Sequence, residues 1–516
     1  MIKFKMLYAI MATMMILVAL SPVLAEPDSS EKIIKADLIF GPEKGLNPAY
    51  EYTGWYMREA GIYETLFALD KDMNIVPELA TGFDQVSDTE YKIHLRTDVK
   101  FHDGSPMNAD AVVKSLNDLI SSSDRRSEYS FIDSVKKDDE STITIKTKDP
   151  YAPTIASLAD PLASIVNTDV DLNKTPSGTG PFKFESFEKG VKMAVKRNDD
   201  YWGRKANLSG AVLYFVSDAM TRALQLEGYD IDITRGLPQT EVKKIESDKD
   251  LDVLQKETLR LNLLYVNTKK APFDNPSVRQ ALNYAINRQE IVDTALEGVG
   301  GVPAIGPFSS DNPWSANDEL KAYAYDPSKA KELLEQAGIT DTNGDGLLEF
   351  DGKPFNITIK TYTSRAENKP SAEVVAAQLE KIGIKSNVQV LEVGAIRSDL
   401  SKGDYDMALY SWSTGTTGDP DYFLSKHFES TGAEAKKTGY SNPDVDSWIK
   451  AGRTTFDQKE RMNYYAKAQE RVLKDSPEIF LFYLNELVGV NKNVKGYVIY
   501  PSCEITFLTP DISLGE

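Results

Sequence analysis

Three histidines and one cysteine are all that the 516 residues offer to the acid, base and nucleophile constellations of enzymes. His94 and His102 flank a strand end at a spacing that matches no metal-ligand pattern and read as structural. No Gly-x-x-x-x-Gly-Lys-Ser/Thr segment, Gly-x-Ser-x-Gly elbow or His-Glu-x-x-His helix occurs. The chemistry indicated is recognition without reaction, with an extracellular hydrolase as the competing class. Recognition chemistry is densest between Gly403 and Leu424. There Tyr405, Leu409 and Tyr410 read as a buried strand delivering Trp412 into a loop broken by Gly415, Gly418 and Pro420. An aromatic plate at a strand end, followed by hydroxyl residues and by Asp419 and Asp421, suits a cleft for a polar ligand. The alternative is that Trp412 is core and Asp419 caps the helix through Leu424. Arg125-Arg126, just after a helix, either clamps a ligand carboxylate in bidentate fashion or is solvated. The run from Asp341 to Glu349 matches the first half of a calcium loop. Gly352 stands at the twelfth position, where a bidentate glutamate belongs, so 341–352 reads as a turn or a weak calcium site.

The elements that must position these residues alternate between strand and helix. Ile33–Phe40 reads as a first strand, Trp55–Leu66 as a helix whose Trp55 and Tyr56 face a cleft or the core, and Glu90–Leu95 as a strand. Asn108 caps a helix to about Ile120. Thr175–Phe182 is a rigid turn of the kind found at a domain junction. Strand, helix and strand alternate over 211–233; Leu261–Asn267 is a strand, Asn275 caps a helix through Ile286, and Ser328–Gln336 is helical. Asn356–Tyr362, Ser371–Ile382 and Lys385–Leu391 then give an α/β unit that leads to Trp412.

The length exceeds what one hydrophobic core accommodates and implies two or three domains. The formal net charge of -19 argues against nucleic acid or an anionic membrane surface as partner. Lys3 and Lys5, the apolar run Met6–Leu20 and the small residues ending at Ala25 predict an export signal over 1–25, cleaved or retained as an anchor. No cysteine follows that run, which excludes a lipid-anchored start, and the lone Cys503 makes no internal disulfide.

Several segments, taken in order, resemble the extracellular solute-binding proteins (family 5) of peptide and nickel ABC importers. They are Val99–Ala109, Thr175–Phe182, Arg197–Gly203, Ala281–Val292, Tyr325–Gly338, Asp404–Leu424 and Gly439–Asp446. The resemblance implies an α/β, two-lobed periplasmic-binding-protein fold of class II type with an extra domain inserted in the first lobe. Lobe I is then 33–60 with 170–265 and 488–516, the inserted domain 61–169, and lobe II 266–487. It also implies an extracytoplasmic, monomeric, non-enzymatic receptor without cofactor that closes on its ligand and delivers it to a permease served by separate ATPase subunits. The segments 45–64 and 500–505 resemble the nickel branch, in which the metal arrives as a chelate held by a tryptophan, arginines and a histidine. Trp412 falls where that tryptophan belongs, Arg126 near one arginine, and His427 is the expected metal ligand. The segment Asp160–Ala163 lacks the second arginine of the nickel binders, and His427 lies earlier than their histidine. Gly418–Asp421 instead resembles the peptide branch, where Asp419 would receive a peptide amine. The expectation is capture of nickel, as a chelate, with a di- or oligopeptide as the alternative; Trp412, Trp55 and Tyr56 are the expected walls, Arg126 the clamp, and His427 or Asp419 the decisive polar contact.

Overall fold

Two long strands organise the molecule. Leu251–Val266 and Glu478–Asn491 run antiparallel along most of their length, and 16 residues of extended chain span roughly 50 Å. The computed structural model describes residues 32–502 and 506–515, so the expected leader at 1–25 and Cys503 lie outside the described residues. At one end of the pair, Val488–Val490 joins Ile233–Arg235, and the sheet continues through Ile33–Leu38, Gly210–Phe215, Lys192–Arg197 and Phe182–Glu188. At the other end, Arg260–Val266 joins Met407–Ser413, followed by Asn356–Tyr362 and Lys385–Leu391. The ladder between the long strands loses register between Glu257 and Leu261. That irregularity, where one lobe's sheet hands over to the other's, is where the pair bends most easily.

The second lobe buries both faces of its sheet. Leu261, Leu263 and Tyr265 enter one core with Phe423, Phe428 and Tyr465, whereas Leu264 and Val266 enter another with Val278, Leu282 and Leu379. This is the period of two with helices on both sides. Asn356–Tyr362 and Lys385–Leu391 are parallel and are connected through the helix Asn368–Lys381, as parallel pairing requires. Within 61–169, a four-stranded antiparallel sheet of 80–87, 90–95, 142–147 and 132–137 packs under the helix Ala109–Ser122 around Ile93, Ile143 and Leu116.

Local signals held where they were strong. Asn108 accepts from the amide of Ala111 and Asn275 from that of Ser277, each starting a helix. One expectation fails and another proves too short. The helix at 55–66 is Thr53–Glu59; Gly61 takes a left-handed φ of 66°, which ends it. The strand at 261–267 is the distal half of a 16-residue strand.

Candidate functional site

A cavity of about 740 Å³ opens between the lobes. Its first-lobe wall rises from the short helix Thr53–Glu59 and the residues before it, and presents Tyr52, Trp55 and Tyr56. Trp55 is held by an indole N–H that donates to Asp160 Oδ1 at 2.9 Å and by an edge contact with Tyr52, centroids 5.2 Å apart. The second-lobe wall stands on the strand Met407–Ser413, whose Tyr410 and Trp412 are two residues apart and therefore share a face. Tyr362, the last residue of its strand, packs 4.9 Å from Tyr410 and extends this wall.

Charge lies between the walls. Arg235 and Glu59 pair at 2.7 Å, both nearly inaccessible, and Glu434 is paired with Lys437 at 2.6 and 2.8 Å. Arg260, directly opposite Ser413 in the ladder, reaches the hydroxyl of Ser411 at 3.5 Å, and Arg397 that of Tyr410 at 3.4 Å. Arg365 completes the guanidinium set on the cavity surface. The buried hydroxyls of Ser364, Ser413 and Thr416 also line it without a hydrogen-bond partner among the described residues.

The structure brings Trp412, Trp55 and Tyr56 together on this cavity and keeps Arg126, Asp419 and His427 off its surface. Arg126 is exposed and donates to the carbonyl of Ser123 at 3.1 Å. Its neighbour Arg125 turns inward, 4.7 Å over the ring of Tyr52, and grips Glu128 through Nε and Nη2 at 2.7 and 2.9 Å. Glu128 in turn receives Lys426 of the second lobe at 2.7 Å. Burial alone would raise the Glu128 carboxyl, but Lys426 and Arg125 outweigh it and hold its pKa at about 2.

Asp419 is buried in an ion pair with Arg461 at 2.8 Å and accepts the amide of Asp421 at 3.0 Å, so it fastens the start of the helix Asp421–Phe428 inside the second lobe. His427 lies in that helix, fully buried behind Trp412, its ring edge-on to the indole at 5.0 Å and stacked on Phe423 at 4.0 Å. Its Nδ1 meets Glu478 Oε1 at 2.8 Å, while Nε2 has no hydrogen-bond partner among the described residues. Burial pushes the imidazole pKa well down and the Glu478 carboxyl well up, so it disfavours a charge on either partner. In the acidic turn, Asp341, Asp345 and Glu349 do approach one another within 4.8 Å. Asp341 accepts the amides of Gly344 and Gly346, and Glu349 those of Thr342 and the Asn343 side chain, so internal hydrogen bonds already close the loop.

Sequence reasoning missed Tyr52, Tyr362, Arg235, Arg260 and Arg365. The usable signal was position: Tyr362 and Arg365 sit at or just beyond the carboxyl end of a parallel strand, where open α/β sheets place ligands.

The family model described as bacterial extracellular solute-binding proteins, family 5, middle region, matches residues 74–435. The chain belongs to this family. Among family 5 relatives, the oligopeptide-binding protein AppA of Bacillus subtilis is 30% identical over 466 residues, covering 86% of this chain and 84% of that protein. The glutathione-binding protein GsiB of Pectobacterium atrosepticum is 29% identical over 470 residues, covering 87% and 88%. The crystal structure of NikA from Staphylococcus aureus in complex with Ni(L-His)2 superposes with a TM-score of 0.82 at 28% identity, over 94% of this chain and all of that one. The two-lobed α/β binding-protein fold is thus the fold of this chain, and its relatives are solute-binding proteins rather than enzymes. Among the described residues no helix is long and apolar enough to cross a membrane.

Proposed function

We propose that this family 5 protein is the extracytoplasmic receptor of an ABC importer and captures nickel as a chelate with histidine or a small organic acid. The carrying observation is the make-up of the cavity: Arg235, Arg260, Arg365 and Arg397 reach it beside eight aromatic side chains, and among the described residues no imidazole or thiol lines it. Guanidinium groups bind carboxylates in planar, bidentate fashion, and a nickel ion accepts imidazole or thiolate nitrogen and sulfur in preference to arginine. A metal entering this cavity therefore brings its own ligands, whose carboxylates face the arginines and whose rings face Trp412, Trp55 and Tyr56. His427 then supports the wall rather than the ion. Ligand contacts to both lobes exist together only when the lobes are closed, so binding favours the closed form that a permease and its separate ATPase subunits would receive.

Calorimetric titration of the metal-stripped protein tests this reading. Tight binding is expected with nickel plus L-histidine or citrate and not with nickel alone. Heat from a mixed short-peptide pool, with none from the chelates, would overturn it in favour of the peptide alternative.

A further inference from the structure

The indole of Trp412 is held by a hydrogen-bond chain whose direction is fixed at every step. Lys437 donates to both oxygens of Glu434 at 2.6 and 2.8 Å, and an ion-paired carboxylate only accepts. The Tyr265 hydroxyl lies 2.9 Å from Glu434 Oε2 and gives its single hydrogen there. Burial first, and then the charge of Glu434, push the Tyr265 pKa far up, so the phenol keeps that hydrogen. Towards Trp412 the same oxygen can only accept, and the indole N–H, which can only donate, meets it at 2.5 Å. Tyr265 is itself immobile: its ring stacks on Tyr410 at 5.8 Å and packs 6.0 Å from His427, with no side-chain exposure. No step of the chain can be reversed by rotating a group.

Tyr265 lies in the Leu251–Val266 strand and Glu434 in the helix Ala433–Thr438, whereas Trp412 lies in a third segment, so the chain welds three elements behind the cavity wall. Resting on the reading of the cavity as the ligand site, we propose that Tyr265 and Glu434 are positioning residues that fix the plane of Trp412 for the ligand, with Glu434 and Lys437 forming the cavity-side end of the clamp. A flat aromatic wall contributes to affinity only when its face meets the ligand, so releasing the indole N–H lowers affinity without removing any group that touches the ligand.

The test combines 19F NMR of protein labelled with 5-fluorotryptophan and titration with nickel in excess L-histidine. The Trp412 signal is assigned by its loss in Trp412→Phe. In ligand-free protein, Tyr265→Phe is expected to move that signal, and in the titration to weaken binding about tenfold. The double variant Tyr265→Phe/Trp412→Phe is expected to bind no more weakly than Trp412→Phe alone, because Tyr265 acts through the indole. Glu434→Gln, which keeps the side chain's shape, is expected to move the same signal in the same direction by less. An unmoved signal, or additive losses in the double variant, would overturn the clamp. Unchanged binding in Trp412→Phe together with a moved signal would overturn the cavity reading while leaving the clamp standing.

Discussion

The two walls of the cleft are built from similar rings and supported in opposite ways. The first-lobe wall, Tyr52, Trp55 and Tyr56, stands on a seven-residue helix and leans on charge: Arg125 over Tyr52, Glu128 beneath it, and Lys426 crossing from the other lobe. The second-lobe wall, Tyr410 and Trp412, stands on a sheet strand and leans on Tyr265, Phe423, the buried His427–Glu478 pair and, through Tyr265, the Glu434–Lys437 pair, all of the same lobe. Charged support that spans two lobes exists only when they meet. Support contained within one lobe persists whether the cleft is open or closed. The second wall is therefore the preformed half of the site, and the first becomes complete on closure.

The largest expected effect breaks the preformed half. Trp412→Ala should weaken chelate binding about a hundredfold, roughly 3 kcal/mol, since aromatic anchors in well-packed pockets carry that much. Isothermal titration measures it; a loss below about threefold would mean that the ligand does not rest on this wall.

Next in size is the pairing across the cleft. Glu128→Gln removes the charge that joins Arg125 to Lys426, and Lys426 also sits 3.8 Å over the ring of Tyr422 on the cavity wall. Dissociation of the chelate, followed by stopped flow, should become about five- to tenfold faster with association little changed, because the pair forms only after the lobes meet. Equal effects on both rates would place the pair in the open form and erase the distinction between the walls.

The two supports should also answer pH with opposite signs. The pKa of Glu128 is depressed from 4.5 to about 2, so the stability it contributes is present above pH 4.5 and is lost as pH falls towards 2. Glu478 is raised well above 4.5, so its contribution is present below that value and is lost as pH rises towards the folded pKa. His427, depressed from 6.5, contributes above 6.5 and loses stability as pH falls below it. Between 4.5 and 6.5 the last two slopes oppose each other, because unfolding releases a proton at Glu478 and takes one up at His427. Above 6.5 only the Glu478 slope remains, up to about 1.4 kcal/mol per pH unit. Urea midpoints between pH 6.5 and 9 should therefore fall more steeply for the native chain than for Glu478→Gln; parallel curves would show that Glu478 is ionised in the folded state.

This asymmetry also governs what could be read from sequence. The second wall was legible because its signals are local: β-capable residues up to Trp412, then Gly415, Gly418 and Pro420 where the strand must stop. The proximal half of Leu251–Val266 was not legible, because Asp252–Thr258 mixes apolar Val253 and Leu254 with polar and charged residues in no alternating pattern, most of them half-buried and paired with the partner strand. Arg235, Arg260 and Arg365 come from three distant segments that only the topology brings to one cavity. His427 misled for a related reason. A lone histidine near a helix end carries no sign of burial in its neighbours' spacing, and its partner Glu478 is a distant residue on the other long strand.

The smallest expected effect is the sharpest test of how the first wall is supported, because it turns on adjacent arginines. Arg126 is exposed and reaches only the carbonyl of Ser123, so Arg126→Ala should leave chelate affinity unchanged and stability within about 0.5 kcal/mol. Arg125→Ala removes the cation over Tyr52 and strands Glu128 with Lys426 alone, and should weaken binding about fivefold. Raising the salt concentration should narrow the gap between the Arg125 variant and the native chain, since the pairing it removes is partly exposed and is screened. No such narrowing is expected for Trp412→Ala, whose loss is one of contact rather than charge. If Arg126→Ala were instead the weaker binder, the clamp would lie outside the observed cavity, and the charged support described for the first wall would have to be given up.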